Sequence, residues 1–566
     1  MAGLNQSRRI AIVTLNESSI ATARKIQARY ADACIYGSRK RVASAEMFYD
    51  DFGATLQDLY RNDTAIIALC AAGIAIRSLA PLLALKGAEP PVLAVAEDGS
   101  AVVPLLGGLG GVNAMAREIG AALNVPAAIT TSGELRFGTC LLNPPAGYAL
   151  ADIEQGKRFV SDLLSGQRVR IEGEARWLDG ADLPLDDSAR HVIRISADAG
   201  PEGDDELLIH PRTVVAIVDN AADAVSARVR EALAEAGFAA QSLACLVAPV
   251  ADMASLPLQR AARQLAVPLR FVADTGALPW PRPPVAVAGI ALCLADQPLD
   301  PQSIGQARGS LTVVGLGPGA QEFMAPAARM ALARAEDILG YETYVNMAGP
   351  FRADQVLHCT DNREEMQRAR HAFALAARGR RAVVVSSGDP GVFAMAAAVL
   401  EALHESTDPL WHAVDLEILP GISAAFATAA RVGAPLGHDF CVMSLSDNLK
   451  PWDIIEQRLE HAAAADFALA FYNPISRARP WQLGRALDIV ARHRDAATVV
   501  VLGRDIGRPA EAVTITTLAQ LRPDQVDMRT MVIIGSSTTC RFGGPASGQG
   551  ETSVRDWVYT PRWYGR

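Results

Sequence analysis

Four apolar segments in the C-terminal half of the chain each run directly into a turn of glycine, proline and small polar residues. They are residues 311–319 (LTVVGLGPG), 383–393 (VVVSSGDPGVF), 419–425 (LPGISAA) and 471–474 (FYNP). A short apolar run bounded by such a turn is typical of a buried strand in an α/β protein. In an open α/β sheet the ligand crevice lies beyond the carboxyl ends of the strands. We therefore expect the four turns to line one site.

The first of these turns has a rival interpretation, because a glycine-rich turn after a strand also occurs in dinucleotide-binding folds. Two features disfavour that rival. Pro318 stiffens the loop where a helix should begin, and no acidic residue closes a second strand about 20 residues later to bind a ribose.

Length and composition predict a multidomain α/β protein. The chain has 566 residues, half of them hydrophobic, which is too long for one core. We expect strands at 10–15, 65–70, 92–95, 127–129 and 213–219, a helix at about 221–236, and linkers at 278–284 and 297–310. The formal net charge of -9 argues against a nucleic-acid partner.

The eight cysteines lie far apart and form no CxxC pair, so the sequence suggests neither a disulfide framework nor a metal site. The longest nearly uncharged apolar stretch, residues 64–76, is too short to span a bilayer. The short apolar run near the N-terminus is better interpreted as a strand than as part of a signal peptide. We expect a cytoplasmic protein with no membrane partner.

Taken in order, the four turns and four later motifs resemble the tetrapyrrole methylase family over residues 311–566. The later motifs are 433–440 (GAPLGHDF), 444–452 (SLSDNLKPW), 527–535 (DMRTMVIIG) and 559–564 (YTPRWY). The first two of these, followed by YNPxSxxR, are similar to the branch that methylates precorrin-3B at C(17). The resemblance implies a class III methyltransferase of two α/β subdomains, with S-adenosyl-L-methionine bound in the cleft between them, usually as a homodimer.

The same resemblance implies which residues border the methyl donor. Carried over motif by motif, these are Gly315, Gly317, Pro318, Gly319, Gly388, Asp389, Val392, Ser423, Ala424, Tyr472, Thr530 and Met531. Backbone donors and one carboxylate would orient the amino acid of the donor, and apolar walls would hold its sulfonium. Because methyl transfer depends on in-line geometry, we expect no covalent protein intermediate.

A precorrin substrate carries several carboxylates, for which arginine is the preferred partner. The candidate substrate-binding cations are Arg431, Lys450, Arg477, Arg479 and Arg562, with His438 as a further candidate. His438 and Asp439 could also act as general acid and base during ring contraction. A structural hydrogen bond explains that pair equally well, and the sequence leaves the two interpretations open.

The first 300 residues have a second resemblance. Residues 72–81 (AGIAIRSLAP), 105–113 (LLGGLGGVN) and 129–131 (ITT), with Lys86, are similar to the CbiG family of cobalamin biosynthesis, which opens a lactone on a cobalt-precorrin and releases a two-carbon aldehyde. Residues 211–300 resemble a shortened form of the domain that also occurs alone as CobE. The domain prediction is 1–210 CbiG-like, 211–300 CobE-like and degenerate, 301–310 linker, and 311–566 methylase.

This N-terminal half departs from the CbiG pattern. Residues 105–113 are one residue shorter than the usual LLSGHxGGAN and contain no histidine, and residues 217–220 (IVDN) replace a Gly-Cys-Arg turn. Loss of a histidine that could act as a base predicts a region that binds tetrapyrroles without hydrolysing them. The retained Gly73, Arg77, Gly108 and Gly111 are the basis for a binding surface.

The resemblances together predict a fusion that methylates precorrin-3B at C(17) with ring contraction to precorrin-4. Alternatives are the cobalt-containing anaerobic reaction, a methylase for another ring carbon, a bifunctional chain that also opens the cobalt-precorrin-5A lactone, and a binding and channelling module with an inactive methylase. We expect a precorrin as substrate, a homodimer formed through the methylase, and transient contact with neighbouring pathway enzymes.

Overall fold

A computed structural model describes residues 9–30, 33–83, 89–200, 203–219, 224–352, 354–361, 364–543 and 556–563. Its strands form a series of separate sheets along the chain, each packed with helices, so the predicted multidomain α/β class is confirmed. The predicted domain boundaries stay a prediction. Within the described residues, no helix combines the length and the apolar character that crossing a membrane requires.

The first sheet has six strands in the order β3-β2-β1-β4-β5-β6, parallel except for β6. Its central strands are buried because helices cover both faces. The strands are β1 Ile10–Thr14, β2 Ala33–Ser38, β3 Met47–Tyr49, β4 Ala65–Leu69, β5 Val92–Val95 and β6 Val102–Leu106, and the helices are α1 Ile20–Gln27, α2 Phe52–Arg61, α3 Ala72–Leu79 and α4 Val112–Leu123. The strand predicted at 127–129 is wrong, because only Ala127 makes an isolated bridge, to Val102.

Two smaller sheets follow. The second has the order β7-β10-β9-β8, and the third has the order β13-β12-β11-β15-β14. The elements of the second are α5 Ser132–Phe137, β7 Tyr148–Leu150, α6 Ile153–Leu164, β8 Val169–Glu172, β9 His191–Ile195 and β10 Glu206–Pro211. Those of the third are β11 Val214–Ile217, α7 Val225–Glu235, β12 Leu243–Pro249, α8 Leu256–Leu265, β13 Leu269–Val272, β14 Val285–Val287 and β15 Ile290–Leu294.

The fourth sheet is parallel throughout, in the order β18-β17-β19-β16-β20, so the carboxyl ends of all five strands share one edge. Its interior strands are apolar because helices pack on the sheet. The elements are β16 Ser310–Gly315, α9 Pro326–Arg334, β17 Asp337–Tyr341, α10 Glu342–Ala348, β18 Val356–Thr360, α11 Glu365–Ala376, β19 Arg381–Ser386, α12 Met395–Glu405, α13 Pro409–Ala413 and β20 Asp415–Leu419.

The fifth sheet is mixed, in the order β22-β23-β26-β24-β25, and a small sheet of β21, β28 and β27 lies beside it. The sequence therefore forms the two α/β subdomains that the resemblance implied. The elements are α14 Ala424–Val432, β21 Gly433–Ala434, β22 Phe440–Ser444, α15 Trp452–Ala464, β23 Ala468–Tyr472, α16 Gln482–Val490, β24 Val499–Arg504, β25 Ala512–Thr517, β26 Thr530–Ile534, β27 Cys540–Gly543 and β28 Asp556–Tyr559.

The segment before β16, predicted as a linker, is held to both of its neighbours. Phe271 and Gln306 exchange two backbone hydrogen bonds of 2.8 and 2.9 Å, and the Gln306 amide donates to the carbonyl of Ala377 over 2.9 Å. Arg308 Nε donates to the carbonyl of Ala413 over 2.7 Å. The third and fourth sheets are thus joined by a bonded segment.

Three strand-end turns of the fourth sheet meet backbone against backbone. A Cβ atom added at Gly315 would lie 2.6 Å from the carbonyl oxygen of Gly388 and 2.7 Å from the nitrogen of Gly421, and one added at Gly421 would overlap the same oxygen. Gly388 has φ +70°, a left-handed conformation that glycine adopts at the lowest cost. We call Gly315, Gly388 and Gly421 the glycine junction.

We expect Gly421→Ala to destabilise the strand ends by about 1–3 kcal/mol, the usual cost of overpacking. Hydrogen exchange at the amides of β16 and β19 measures this local loss. The matched control is Gly484→Ala in α16, where the nearest atom to the added Cβ is 3.8 Å away. Since alanine is the better helix former, the control should keep or slightly raise stability. Equal protection of these amides from exchange in both variants would contradict the close packing of the glycine junction.

Candidate functional site

The predicted turns converge at the carboxyl edge of the fourth sheet. The turn after β16 is bonded to the turn after β19, because Gly317 N donates to the oxygen of Gly388 over 3.1 Å and Gly388 N donates to the oxygen of Gly317 over 2.8 Å. The third turn joins them at the glycine junction. The fourth turn approaches from the fifth sheet, where the Tyr472 hydroxyl accepts a 3.1 Å hydrogen bond from Ala425 N. The structure therefore brings all four turns to one cleft between the two subdomains.

Asp389 ties two of the turns together. Its Oδ1 accepts from Gly391 N over 2.8 Å, and its Oδ2 accepts from Gly421 N over 3.1 Å. An ionised carboxylate has about four lone-pair sites, so both oxygens retain capacity for a ligand. The backbone N–H of Val392 donates to the Asp389 carbonyl oxygen over 3.2 Å, which places Val392 beside the carboxylate.

Helix α14 begins at the cleft, where the Tyr472 hydroxyl accepts the amide of Ala425 and the N-cap side chain covers no amide. Its N-cap, Ser423, is buried and makes no side-chain capping bond, and Ala424 follows it as the first helical residue. An added Cβ at Gly388 would lie 3.6 Å from the Cα of Ser423. The start of a nine-residue helix thus faces the glycine junction, and its amides and dipole favour a negative group there.

Aromatic rings and a lysine form another wall of the cleft. The rings of Phe393 and Tyr472 are 5.4 Å apart, and Lys450 Nζ lies 5.9 Å from the centre of the Phe393 ring. Phe393 is 49% exposed and has φ +54°, a strained conformation for a bulky residue. Burial, followed by the charge of Arg458, lowers the pKa of Lys450. An exposed ring held this way suits contact with a ligand.

Thr530 and Met531 start β26, at the Tyr472 end of the antiparallel β23–β26 pair. Both are buried, and the Thr530 hydroxyl donates to Asp527 Oδ1 over 2.8 Å. Pro318 and Gly319 belong to the turn after β16 and touch residues 507–508 of the other subdomain, where Arg508 Nε donates to the Pro318 carbonyl over 3.3 Å. Every residue predicted to contact the donor therefore lies at this cleft or in the layer behind it.

The predicted substrate cations are dispersed. Arg431 pairs with Glu511, Nε to Oε1 at 2.7 Å, and its guanidinium lies 5.4 Å from the centre of the Phe323 ring. Arg477 and Arg562 are exposed. Arg479 is only 8% exposed, and its Nη1 donates to the Asn473 carbonyl over 3.2 Å. The Arg479 guanidinium therefore supports the loop of the fourth turn. Of the five predicted substrate cations, Lys450 alone lies against the wall formed by Phe393 and Tyr472.

His438 and Asp439 lie at the end of their strand opposite the Tyr472 edge, and their role stays a prediction. They precede β22, which runs parallel to β23 with Phe440 opposite Ala468 and Ser444 opposite Tyr472. A five-residue strand spans about 16 Å, so the pair is that far from the Tyr472 edge. The two side chains approach each other, Nδ1 to Oδ2 at 3.6 Å, and Asp439 is largely exposed. The structure does not bring this pair to the donor cleft.

Sequence reasoning missed a fifth strand-end turn, residues 504–508 (RDIGR) after β24. Arg504 lies opposite Thr530, so the turn is at the same edge as the donor residues. Asp505 has φ +50° and its side chain is 3% exposed among three arginines. The available signal was an apolar run, 499–503 (VVVLG), ending in arginine, aspartate and glycine. The segment lies outside every motif that carries the resemblance to the family.

In the first sheet, some candidate residues of the CbiG-like region are hydrogen-bonded to neighbours and others are exposed. Asn113 is buried, and its amide donates to Thr131 Oγ1 over 2.8 Å and to Glu134 Oε1 over 2.6 Å. Arg77 is exposed and reaches back over Gly73 at the start of its own helix. Lys86 lies outside the described residues. The turn of residues 107–111 has left-handed glycines at both ends and open space beside Gly108.

Two family models match the chain. Tetrapyrrole (Corrin/Porphyrin) Methylases matches residues 310–522, and Cobalamin synthesis G N-terminal matches residues 54–134. The second match confirms the CbiG-like resemblance and, with the first, the fusion.

Similar proteins share the methylase part. The chain is 48% identical over 259 residues to a precorrin-3B C(17)-methyltransferase from Sinorhizobium sp, covering 45% of this chain and 97% of that protein. It is 41% identical over 229 residues to a probable cobalt-factor III C(17)-methyltransferase from Salmonella typhimurium, covering 40% of this chain and 93% of that protein. A crystal structure of the methyltransferase CobJ is 49% identical and covers 45% of this chain and 100% of that one, with a TM-score of 0.41. On the first family model and the relative from Sinorhizobium sp, the chain belongs to the tetrapyrrole methylase family.

Proposed function

We propose that the chain transfers a methyl group from S-adenosyl-L-methionine to C(17) of precorrin-3B, with ring contraction to precorrin-4. The observation that carries the proposal is the convergence of the turns after β16, β19, β20 and β23 on one cleft that contains the Asp389 carboxylate. The relative named for this reaction is 48% identical and is covered over 97% of its length.

The cleft residues fit the donor chemically. The donor carries an ammonium, a carboxylate and a sulfonium. Asp389 has unused lone pairs for the ammonium, and the amides at the start of α14 other than that of Ala425 suit the carboxylate. The absence of a side chain at Gly388 leaves the space between the turn and Ser423 free. These features support the donor assignment independently of the family.

The protein's own contribution is positioning. The glycine junction fixes three turns relative to one another, and the Tyr472 hydroxyl fixes α14 against the fifth sheet. The donor supplies the electrophilic methyl group, and holding a carbon nucleophile in line with it accounts for most of the rate. The exposed Phe393 ring and the Tyr472 ring exclude water from that side. His438 and Asp439 have no part in this proposal.

A second candidate is the same methylation on a cobalt-containing ring. It is favoured by the 41% identity to the relative named probable cobalt-factor III C(17)-methyltransferase. The donor cleft described above is compatible with either ring.

We further propose a cytoplasmic homodimer formed through the methylase part. The small sheet exposes Phe542, Tyr559 and the nearby Trp563, and a cavity of about 650 Å³ is lined by Gly433, Ala434, Cys540, Phe542, Trp557, Val558 and Tyr559. A second copy suits this face, since large exposed apolar patches mark interaction sites. The eight cysteines are all unpaired, which supports a reducing compartment.

Mass analysis of products tests the reaction. The full-length chain, incubated with S-adenosyl-L-methionine and precorrin-3B, should yield a product one methyl group heavier with the contracted ring of precorrin-4. A parallel incubation with cobalt-factor III decides between the two rings. Donor binding without a methylated product from either substrate would contradict the proposal and favour the inactive binding module.

Variants of the donor site give a second prediction. Gly388→Leu should abolish binding of S-adenosylhomocysteine, because the left-handed backbone is strained and the side chain would fill the space beside Ser423. Asp389→Asn should weaken binding by about 1.5–3 kcal/mol, the worth of a hydrogen bond to a charged group. Calorimetry on the full chain measures both.

Two controls separate donor binding from folding. Gly237 also has a positive φ, +78°, with no atom within 4 Å of an added Cβ, so Gly237→Ala adds strain far from the cleft. Asp415→Asn removes a largely exposed carboxylate from the fourth sheet. Both controls should bind as the wild type does. Unchanged affinity in Gly388→Leu and Asp389→Asn would remove these residues from the site.

We also propose that the N-terminal half binds a tetrapyrrole without opening its lactone. Residues 1–310 contain two histidines, His191 and His210, and both are buried. His210 Nδ1 lies 2.8 Å from the Ser196 carbonyl oxygen, and burial lowers its pKa. The open glycine turn at 107–111 contains no histidine. No imidazole is therefore available there as a base.

The expected result is that the full chain releases no acetaldehyde from the cobalt-precorrin-5A lactone above the rate without enzyme. A CbiG protein assayed in parallel is the positive control. Release at a comparable rate would show a bifunctional chain and overturn this part of the proposal.

A further inference from the structure

The turn after β24 collects three arginines around one buried carboxylate. Asp505 Oδ2 lies 3.2 Å from Arg529 Nη1 and 3.6 Å from Arg504 Nη1, and its Oδ1 lies 3.8 Å from Arg508 Nη1. We call Arg504, Arg508 and Arg529 the arginine cluster. Because its carboxylate is 3% exposed, Asp505 holds the three guanidinium groups close to each other against their mutual repulsion.

The arginine cluster carries more positive charge than its carboxylates neutralise. Asp527 Oδ2 lies 3.0 Å from Arg504 Nη2 and 3.4 Å from Arg529 Nη2. The three arginines carry three positive charges, and Asp505 and Asp527 carry two negative charges, so one positive charge remains. The neighbouring Glu511 does not neutralise it, because Glu511 is paired with Arg431. The three side chains are 29–52% exposed. Each guanidinium has five donors, so N–H groups remain unused and can bind an anion.

The arginine cluster borders the donor cleft. Arg504 stands opposite Thr530, and Arg508 Nε donates to the Pro318 carbonyl over 3.3 Å. The strands β23 and β24 are separated by β26, which puts the cluster two strand spacings, about 10 Å, along the edge from Tyr472. Arg508 is also close enough to Tyr344 for its charge to offset part of the burial that raises the pKa of that phenol. The cluster therefore faces both subdomains.

We propose that Arg504, Arg508 and Arg529 bind carboxylate side chains of the tetrapyrrole, with Asp505 as a positioning residue. The inference rests on the proposed function and assigns a substrate subsite that none of the predicted cations occupies. Arginine suits this task because its planar fork binds a carboxylate through two parallel hydrogen bonds. The offset from Tyr472 lets a peripheral carboxylate be held while a ring carbon faces the donor.

The test uses Arg529→Gln in the full-length chain, because Arg529 is the most exposed member and its loss disturbs the fold least. The KM for precorrin-3B should rise about tenfold to a hundredfold, as expected for a lost charge-assisted hydrogen bond. The kcat at saturating substrate and the Kd for S-adenosylhomocysteine should change less than about twofold. The KM of Arg529→Lys should lie between those of the wild type and Arg529→Gln, because lysine retains the charge but lacks the planar guanidinium.

The matched control is Arg522→Gln, a 74% exposed arginine that lies 3.6 Å from Asp524. Its KM should equal that of the wild type. An unchanged KM in Arg529→Gln would overturn the inference. An equal loss of affinity for S-adenosylhomocysteine would also overturn it, because the arginine cluster would then support the donor site.

Direct binding separates this inference from the proposed reaction. Uroporphyrin III, a polycarboxylate tetrapyrrole, can be titrated by its fluorescence into wild type, Arg529→Gln and Arg522→Gln. Weaker binding by Arg529→Gln alone supports the subsite even if the wild type methylates neither ring. Equal affinity in all three, or no binding to the wild type, would contradict the subsite whatever the outcome of the methylation assay.

Discussion

The close approach of backbone to backbone at Gly315, Gly388 and Gly421 determines the geometry of the cleft. Three parallel strands deliver their turns to the same edge of the fourth sheet, and the turns touch there because none of the three residues has a Cβ. Asp389 then bonds across two of the turns, and α14 starts directly after the third. The residues proposed to bind the donor are thus placed by main-chain contacts, which leave their side chains free for ligands.

Two carboxylates organise the polar groups of the cleft in different ways. Asp389 accepts hydrogen bonds from backbone amides and so orders the loops on which it sits. The carboxylate of Asp505 instead pairs with guanidinium groups of the fifth sheet. One carboxylate presents negative charge to the cleft, and the other concentrates positive charge at its border. In the proposed function, the negative charge of the first carboxylate suits the ammonium group of the donor, and the positive charge gathered by the second suits an acidic macrocycle.

Much of this arrangement could be predicted from the sequence, because local pattern and chemistry agreed there. An apolar run ending in GLGPG or SSGDPG specifies a buried strand and a tight turn, and the strands at 311–314 and 92–95 lie where they were expected. The strand predicted at 127–129 is wrong because an apolar run of three residues does not show whether a partner strand is available. The position of His438 and Asp439 before β22 could not be predicted, because a motif gives residue types but not the end of the strand at which they lie. Asp505 was missed because its role depends on Arg529, which is distant in sequence and adjacent only across the ladder.

The bonded segment between the third and fourth sheets has a mechanical consequence. Gln306 pairs with Phe271 on one side and bonds Ala377 on the other, and Arg308 anchors to Ala413. A segment with hydrogen bonds to both sheets is expected to keep the third and fourth sheets in a fixed orientation. An opening that admits a bulky macrocycle is therefore expected within the methylase and not as a swing of the third sheet about the fourth. The third sheet would then move together with the fourth sheet.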